Sequence, residues 1–401
     1  MKLTENQEAT RNVYQKRTIN IGMRRDNLQY VFTPYSLCEE MILKLKENTG
    51  LKEKNILVFN LEFAIVLIEQ GVSPGNITFL TDCIEKVAFA KFLGVAVMME
   101  DFKKIIDEKR DLGKFDVVIG NPPYQMTKNK VKEGVSGMCG GTLWDKFMYL
   151  SINELATKDG YVVLVHPGQW RKPDHTLLEL VKQYNLVYLS IHGIADGQKT
   201  FSASTGYDWY ILQKTNYGGQ TTINDVDGKQ SNVDISGWQF IPNCEFNKIQ
   251  SLLSDVENDI VFSHSDYETR KDWMSNNKSE EFQYPCVYGL TQKDGLKLYW
   301  SETNKNGHFG ISKAIIPLSK YTDVFIDDQG TYGICQFAFG IPISSKEEGE
   351  QIKQVLLSKK FKPIWDAFEW IYNGKEWRVF KYLKKNWWKE FIDDIEKEKE
   401  K

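Results

Sequence analysis

Through its first half the chain alternates between two hydrophobic periods, and no other feature constrains its fold more. A helical pattern over 35–46, opened by Thr33-Pro34, gives way to an apolar run over 55–59. A helical pattern over 62–70 then ends at Gly71, and a second run spans 77–81, closed by Asp82. A helix over 85–93, a run over 95–99 closed by Asp101, and a run over 115–119 closed by Gly120-Asn121 continue the series. Helices over 143–156 and 177–184 and strands over 161–166, 186–192 and 207–213 complete it. Strands alternating with helices imply parallel βαβ units, hence an α/β, doubly wound sheet of the Rossmann-like kind. Such sheets bind ligands beyond the carboxyl ends of their strands. The polar residues at those ends are Asn60, Glu62, Asp82, Asp101 and Asn121. Each taken alone fits a plain turn or cap, whereas four consecutive strands ending this way point to a site.

The pattern changes near Asn216-Tyr-Gly-Gly219. Hairpin-like segments follow over 221–226 and 230–235 around Asp227-Gly228, and nine of the eleven tryptophans lie after Gly206. For 401 residues this indicates two domains, 1–218 and 219–401, the second an α+β domain, mainly β-rich, ending in helical segments over 347–361 and from 387 into the charged tail. With 51 Lys plus Arg against 54 Asp plus Glu, the net charge of -3 excludes a broadly basic nucleic-acid binder but not a local basic face. The first twelve residues lack the apolar core of an export signal, and no apolar run approaches the ~18 residues of a membrane span. The six cysteines, at 38, 83, 139, 244, 286 and 335, form no Cys-x-x-Cys pair and do not cluster with the five histidines. The expectation is a cytoplasmic protein with reduced thiols, neither zinc-binding nor disulfide-stapled.

The most specific local signal is Phe115-Asp-Val-Val-Ile-Gly-Asn-Pro-Pro-Tyr124, an apolar strand running into Asn-Pro-Pro-Tyr. Pro122 and Pro123 fix φ and remove two backbone donors, so carbonyls here can face a ligand. An exocyclic amine could be held by two acceptors, the Asn121 side-chain oxygen and the Pro122 carbonyl, with an exposed Tyr124 stacking on a flat ring. The plain alternative is a strand ending in a Pro-Pro turn with Tyr124 packed on the core.

This motif resembles that of amino-group methyltransferases using S-adenosylmethionine (AdoMet), best known in the DNA adenine-N6 enzymes. The order of the other matching segments, covering roughly 30–215, resembles their gamma class. Phe32-Thr-Pro-Tyr35 resembles the N-terminal element that helps hold the methionine part of AdoMet, which implies roles for Thr33 and Pro34. Thr78-Phe-Leu-Thr-Asp82 resembles the strand whose terminal acid binds the ribose hydroxyls, and Glu100-Asp-Phe102 the pair that contacts the cofactor's adenine. The segment from Thr200 to Lys214 resembles the late element whose aromatic faces a flipped base, with Phe201 the best match. The resemblance thus implies a class I methyltransferase fold and AdoMet as cofactor, with no metal. Asn121, Pro122, Pro123, Tyr124 and Phe201 would serve catalysis. Thr33, Pro34, Asn60, Glu62, Asp82, Asp101, Phe102 and Asn121 would bind the cofactor. The residues from Ser312 to Pro317 and from Gly330 to Gly333 are reminiscent of the family's recognition domains. One departure stands out: the family's glycine-containing loop after the first strand is here Val58-Phe-Asn-Leu-Glu-Phe63.

Two basic stretches complete the reading. Lys128, Lys130 and Lys132 precede a glycine-rich stretch, read as a mobile phosphate-contacting loop or a plain surface loop. Lys381, Lys384 and Lys385 lie in a second stretch over 375–389, interleaved with aromatics that fit inward packing beneath solvated lysines. Double-stranded DNA is the implied partner. With about thirty residues before the Thr-Pro element, any restriction endonuclease is expected to be a separate protein. Two alternatives stay open: methyl transfer to another amino group (RNA adenine or protein glutamine), and a DNA-binding relative that has lost the cofactor.

Overall fold

The computed structural model describes residues 4–5, 7–9, 11–14, 31–108, 110–124, 142–262, 266–291, 295–318, 323–370, 375–392 and 395. The chain forms two units, Met1–Trp238 and Gln239–Lys401.

The first unit is built on a nine-stranded sheet of order β3-β2-β1-β4-β5-β7-β6-β8-β9. These strands are β1 (Ile56–Val58), β2 (Ile77–Thr81), β3 (Ala96–Met99), β4 (Phe115–Gly120), β5 (Ala156–His166), β6 (Asn185–His192), β7 (Tyr207–Gln213), β8 (Thr221–Asn224) and β9 (Gln230–Val233). Strands β3, β2, β1, β4 and β5 are mutually parallel, and β7 runs antiparallel between β5 and β6. The chain order reverses between β1 and β4, so the crevice at their carboxyl ends is the topological switch point.

Alternation in the central strands explains the core. Ile56, Val58, Val117, Ile119, Val163 and Val165 share one buried cluster with the helices Tyr35–Lys46 and Leu61–Glu69. The second helix is buried at every position from Leu61 to Ile68 and so is apolar nearly all round; Glu62 is its one charged residue in that stretch.

The expected order of elements holds over 35–213, with local differences. The helix expected over 143–156 is α-helical over Trp144–Leu150 and π-helical over Ser151–Leu155, after which Ala156 already pairs with Phe115 as part of β5. Helices Phe102–Glu108 and Ile194–Phe201 were not anticipated from the sequence. The second contains Gly197, where a Cβ would lie 1.8 Å from the Thr205 carbonyl oxygen, so only glycine allows the close approach.

The hairpin expected over 221–235 forms, as β8 and β9, but belongs to the first unit. Strand β8 pairs parallel to β6 and extends the sheet, which moves the boundary from 218/219 to Trp238/Gln239.

The second unit is α+β. One four-stranded sheet has the order β10 (Val261–Phe262), β17 (Ala338–Pro342), β14 (Lys313–Pro317), β15 (Phe325–Asp327). The other has the order β11 (Met274–Ser275), β13 (Gly295–Ser301), β12 (Tyr284–Thr291), β16 (Gly333–Ile334). Helices Phe246–Leu252, Lys346–Leu356 and Lys362–Ala367 accompany them. Fully buried Lys313 donates to Asp327 Oδ2 (2.7 Å) and to the carbonyls of His308 (3.0 Å) and Ile311 (2.9 Å), so its three N–H groups are all satisfied. Among the described residues no helix is long and apolar enough to cross a membrane.

Candidate functional site

The connection from β1 to the helix Leu61–Glu69 is two residues long, Phe59-Asn60. Asn60 stands at the helix N-cap in extended geometry (φ -136°, ψ 139°), yet its side chain does not cap that helix. Its Oδ1 instead accepts the backbone N–H of Asn121 at 2.6 Å, across the switch point. No residue of this turn has positive φ, so its backbone needs no glycine. The close approach falls on the facing strand. A Cβ at Gly120 would meet Phe59 Cβ at 2.9 Å and Asn60 Oδ1 at 3.0 Å.

Asn121 is 3 % exposed. Its Nδ2 donates to Thr33 Oγ1 at 3.2 Å, and its Oδ1 has no hydrogen-bond partner among the described residues. Asn60 Nδ2 is likewise buried and unpartnered. Buried polar atoms are nearly always satisfied, so an orphan acceptor and an orphan donor on adjoining side chains at a switch point mark a place for a polar ligand. Pro122 and Pro123 are buried. Tyr124 is half-buried rather than exposed, because its hydroxyl turns inward to donate to the Val165 carbonyl (3.4 Å), and burial raises the phenol's pKa.

Thr33 is fully buried, and Pro34 precedes the helix Tyr35–Lys46, its carbonyl accepting the N–H groups of Leu37 (3.0 Å) and Cys38 (3.1 Å). The Glu62 carboxylate takes the Tyr14 hydroxyl at 3.2 Å and the Thr33 N–H at 3.4 Å. Burial pushes this carboxyl's pKa up, opposed by the nearby Lys86 ammonium. Asp82 and Asp101 are exposed at the ends of neighbouring strands, where Thr81 and Met99 pair. Asp101 also caps its helix, Oδ1 accepting the Lys104 N–H at 3.0 Å. Phe102 is buried, its ring edge-to-face with Phe147 at 5.2 Å, so it packs into the core.

Phe201 closes the helix Ile194–Phe201 and meets the Tyr207 ring at 4.9 Å; Tyr207 in turn stacks on His192 at 4.3 Å. Beside them Asp208 is fully buried and receives Arg171 Nε (2.6 Å), Arg171 Nη2 (3.0 Å) and Trp170 Nε1 (3.0 Å). Its rung partner His166 is also fully buried, stacked on Trp144 at 5.3 Å, and burial drives its pKa down to about 4. Sequence reasoning left out Tyr14, Arg171 and Asp208. For Asp208 a signal was present: a carboxylate inside the apolar strand Tyr207–Gln213 requires a buried partner.

Lys128, Lys130 and Lys132 lie outside the described residues. In the second unit Trp377, Phe380, Tyr382, Trp387 and Trp388 are buried while Lys384 and Lys385 are exposed, the inward-packed arrangement. Lys381 is half-buried with its ammonium 5.8 Å from the Trp377 ring centre, and Lys384 lies 3.7 Å from Glu390. A groove of about 550 Å³ lined by Ile105, Arg110, Asp145, Tyr149 and His175, among others, involves none of the residues singled out above.

Residues 54–198 match the family model described as Eco57I restriction-modification methylase. No curated protein matches the chain. Among solved structures, the chain is similar to a modification subunit of a putative type I restriction enzyme from Vibrio vulnificus, at 14% identity and a TM-score of 0.41, over 63% of this chain and 58% of that one. It is similar to the type I restriction-modification methyltransferase subunit from Streptococcus thermophilus, at 13% identity and 0.36, over 50% and 49%. It is also similar to the type IIL restriction-modification enzyme MmeI in complex with DNA, at 9% identity and 0.36, over 88% and 63%. The chain spans about half to three fifths of the length of the two type I subunits. The resemblance to restriction-modification methylases thus rests on the family match over 54–198, and the sheet is a doubly wound α/β one with an antiparallel strand between β5 and β6.

Proposed function

We propose that the chain is a DNA methyltransferase of restriction-modification type that uses AdoMet and acts on N6 of an adenine turned out of the duplex. One observation carries the reading: the buried, unpartnered Oδ1 of Asn121, in Asn-Pro-Pro-Tyr at the switch point of a sheet matched by a methylase family model. AdoMet supplies an electrophilic methyl group. Asn60, with its unpartnered Nδ2, and the exposed carboxylates of Asp82 and Asp101 are the groups suited to hold it.

The chain's own residues do the rest. Adenine N6 is a poor nucleophile because its lone pair is delocalised into the ring. An acceptor at Asn121 Oδ1, aided by the Pro122 carbonyl, would bind the N–H groups and favour a tetrahedral nitrogen whose lone pair is free to attack. This is positioning with charge stabilisation. The target atom lies inside the duplex, so the base must be flipped out, and Tyr124 and Phe201 are the candidate stacking surfaces. Lys381, Lys384 and Lys385 would add sequence-independent phosphate contact, with binding that weakens as salt rises.

The test is transfer of labelled methyl from AdoMet to duplex DNA, RNA and protein. Wild type should label adenine in DNA. Asn121→Ala should lose transfer while AdoMet still binds by calorimetry. Undiminished transfer by that variant would overturn the assignment, and labelling of RNA or protein alone would redirect it.

A further inference from the structure

Resting on that reading, we propose that Thr33 is a positioning residue for Asn121, itself held by buried Glu62 and Tyr14. A carboxamide presents a donor at one end and an acceptor at the other, and only the acceptor end can bind an amine N–H. Two contacts hold Asn121, one on its backbone and one on its carboxamide. Its backbone N–H is fixed on Asn60 Oδ1 at 2.6 Å. Its Nδ2 is engaged by Thr33 Oγ1 at 3.2 Å, which leaves Oδ1 as the open, buried acceptor.

Thr33 has its own anchor. It is fully buried, and its backbone N–H donates to Glu62 Oε1 at 3.4 Å. The other oxygen of Glu62 accepts the Tyr14 hydroxyl at 3.2 Å. Tyr14 is buried as well, its ring edge-to-face with Phe89 at 5.4 Å. A continuous hydrogen-bonded path therefore runs from Tyr14 through Glu62 and Thr33 to the Asn121 carboxamide. It gives Glu62, in the first turn of the helix Leu61–Glu69, a task within the protein: it joins Tyr14 and the Thr-Pro element to the site.

The experiment compares Thr33→Val, which keeps the shape and removes the hydroxyl, with Thr33→Ser, which keeps the hydroxyl. Each is measured for kcat, for KM toward duplex DNA, and for AdoMet binding by calorimetry. Thr33→Val should lower kcat about 5- to 20-fold, the scale of one lost buried hydrogen bond, with AdoMet affinity within twofold of wild type. Thr33→Ser should restore kcat. If Thr33→Val does not fold, Thr33→Ala carries the same comparison. Weakened AdoMet binding with unchanged kcat would overturn the proposal and make Thr33 a cofactor contact. Equal losses in the Val and Ser variants would overturn it too. Full activity of Asn121→Ala would instead remove the functional reading on which it rests.

Discussion

Replacing Asp208 by Asn should be among the most damaging single substitutions in the first unit. The Arg171 and Asp208 side chains are 3% and 1% exposed. Two guanidinium N–H groups and the Trp170 indole converge on the carboxylate at 2.6, 3.0 and 3.0 Å. Asparagine has the right shape but one acceptor oxygen, and its amide donor would face the guanidinium. Arg171 would then be buried opposite a neutral group. Removing one partner of a buried ion pair costs about 3–5 kcal/mol, because the other charge loses its compensation without regaining water. For a unit of this size, at about 2–4 °C per kcal/mol, the melting point should fall by roughly 6–20 °C. Differential scanning calorimetry of the full chain, with hydrogen exchange over β5 and β7, reads the effect and locates it. The paired substitution Arg171→Met with Asp208→Leu should recover most of the loss, since the pair's desolvation cost disappears with it. A loss below about 1 kcal/mol for Asp208→Asn would show that water reaches the pair, since exposed pairs contribute no more than that.

Two further outcomes follow from the same layer of structure. His166 titrates near 4 in the fold against about 6.5 unfolded, so the unfolded chain binds the proton first as pH falls; stability should be level above about pH 6.5 and decline by about 3 kcal/mol toward pH 4. Urea unfolding of wild type against His166→Gln isolates this slope, and parallel curves would refute it. Gly120→Ala places a Cβ 2.9 Å from Phe59 and 3.0 Å from Asn60 Oδ1. It should cost about 1–3 kcal/mol and weaken AdoMet binding, which a thermal shift with and without cofactor would read; wild-type values for both would show that the two strands can separate freely.

The elements that were legible in the sequence are those whose signal is local. Strands β1, β2 and β4 are short apolar runs closed by polar residues, and a strand buried on both faces needs little else to be recognised. The sharp turn after β4 was legible because a Pro-Pro pair directly after a buried strand leaves few structural options. The helix Ile194–Phe201 was not, because Gly197 is explained by a contact with the Thr205 carbonyl and not by helix propensity. The unit boundary was misplaced because β8 joins β6 by pairing Tyr188 with Thr222, a contact that a local hairpin pattern does not encode.

By itself, then, the sequence determined an alternating α/β sheet, the polar ends of its strands, and an Asn-Pro-Pro-Tyr segment at one of them. Hydrophobic period and proline geometry act within a few residues, so a linear reading recovers them. Only the tertiary structure decided that Asn60 holds the Asn121 backbone, that Thr33 takes its amide, that Glu62 looks inward to Tyr14 and Thr33, and that Arg171 answers Asp208. Each is a buried polar group whose partner lies 29 to 88 residues away. Burial makes a partner obligatory, but which residue supplies it is settled only when the chain packs.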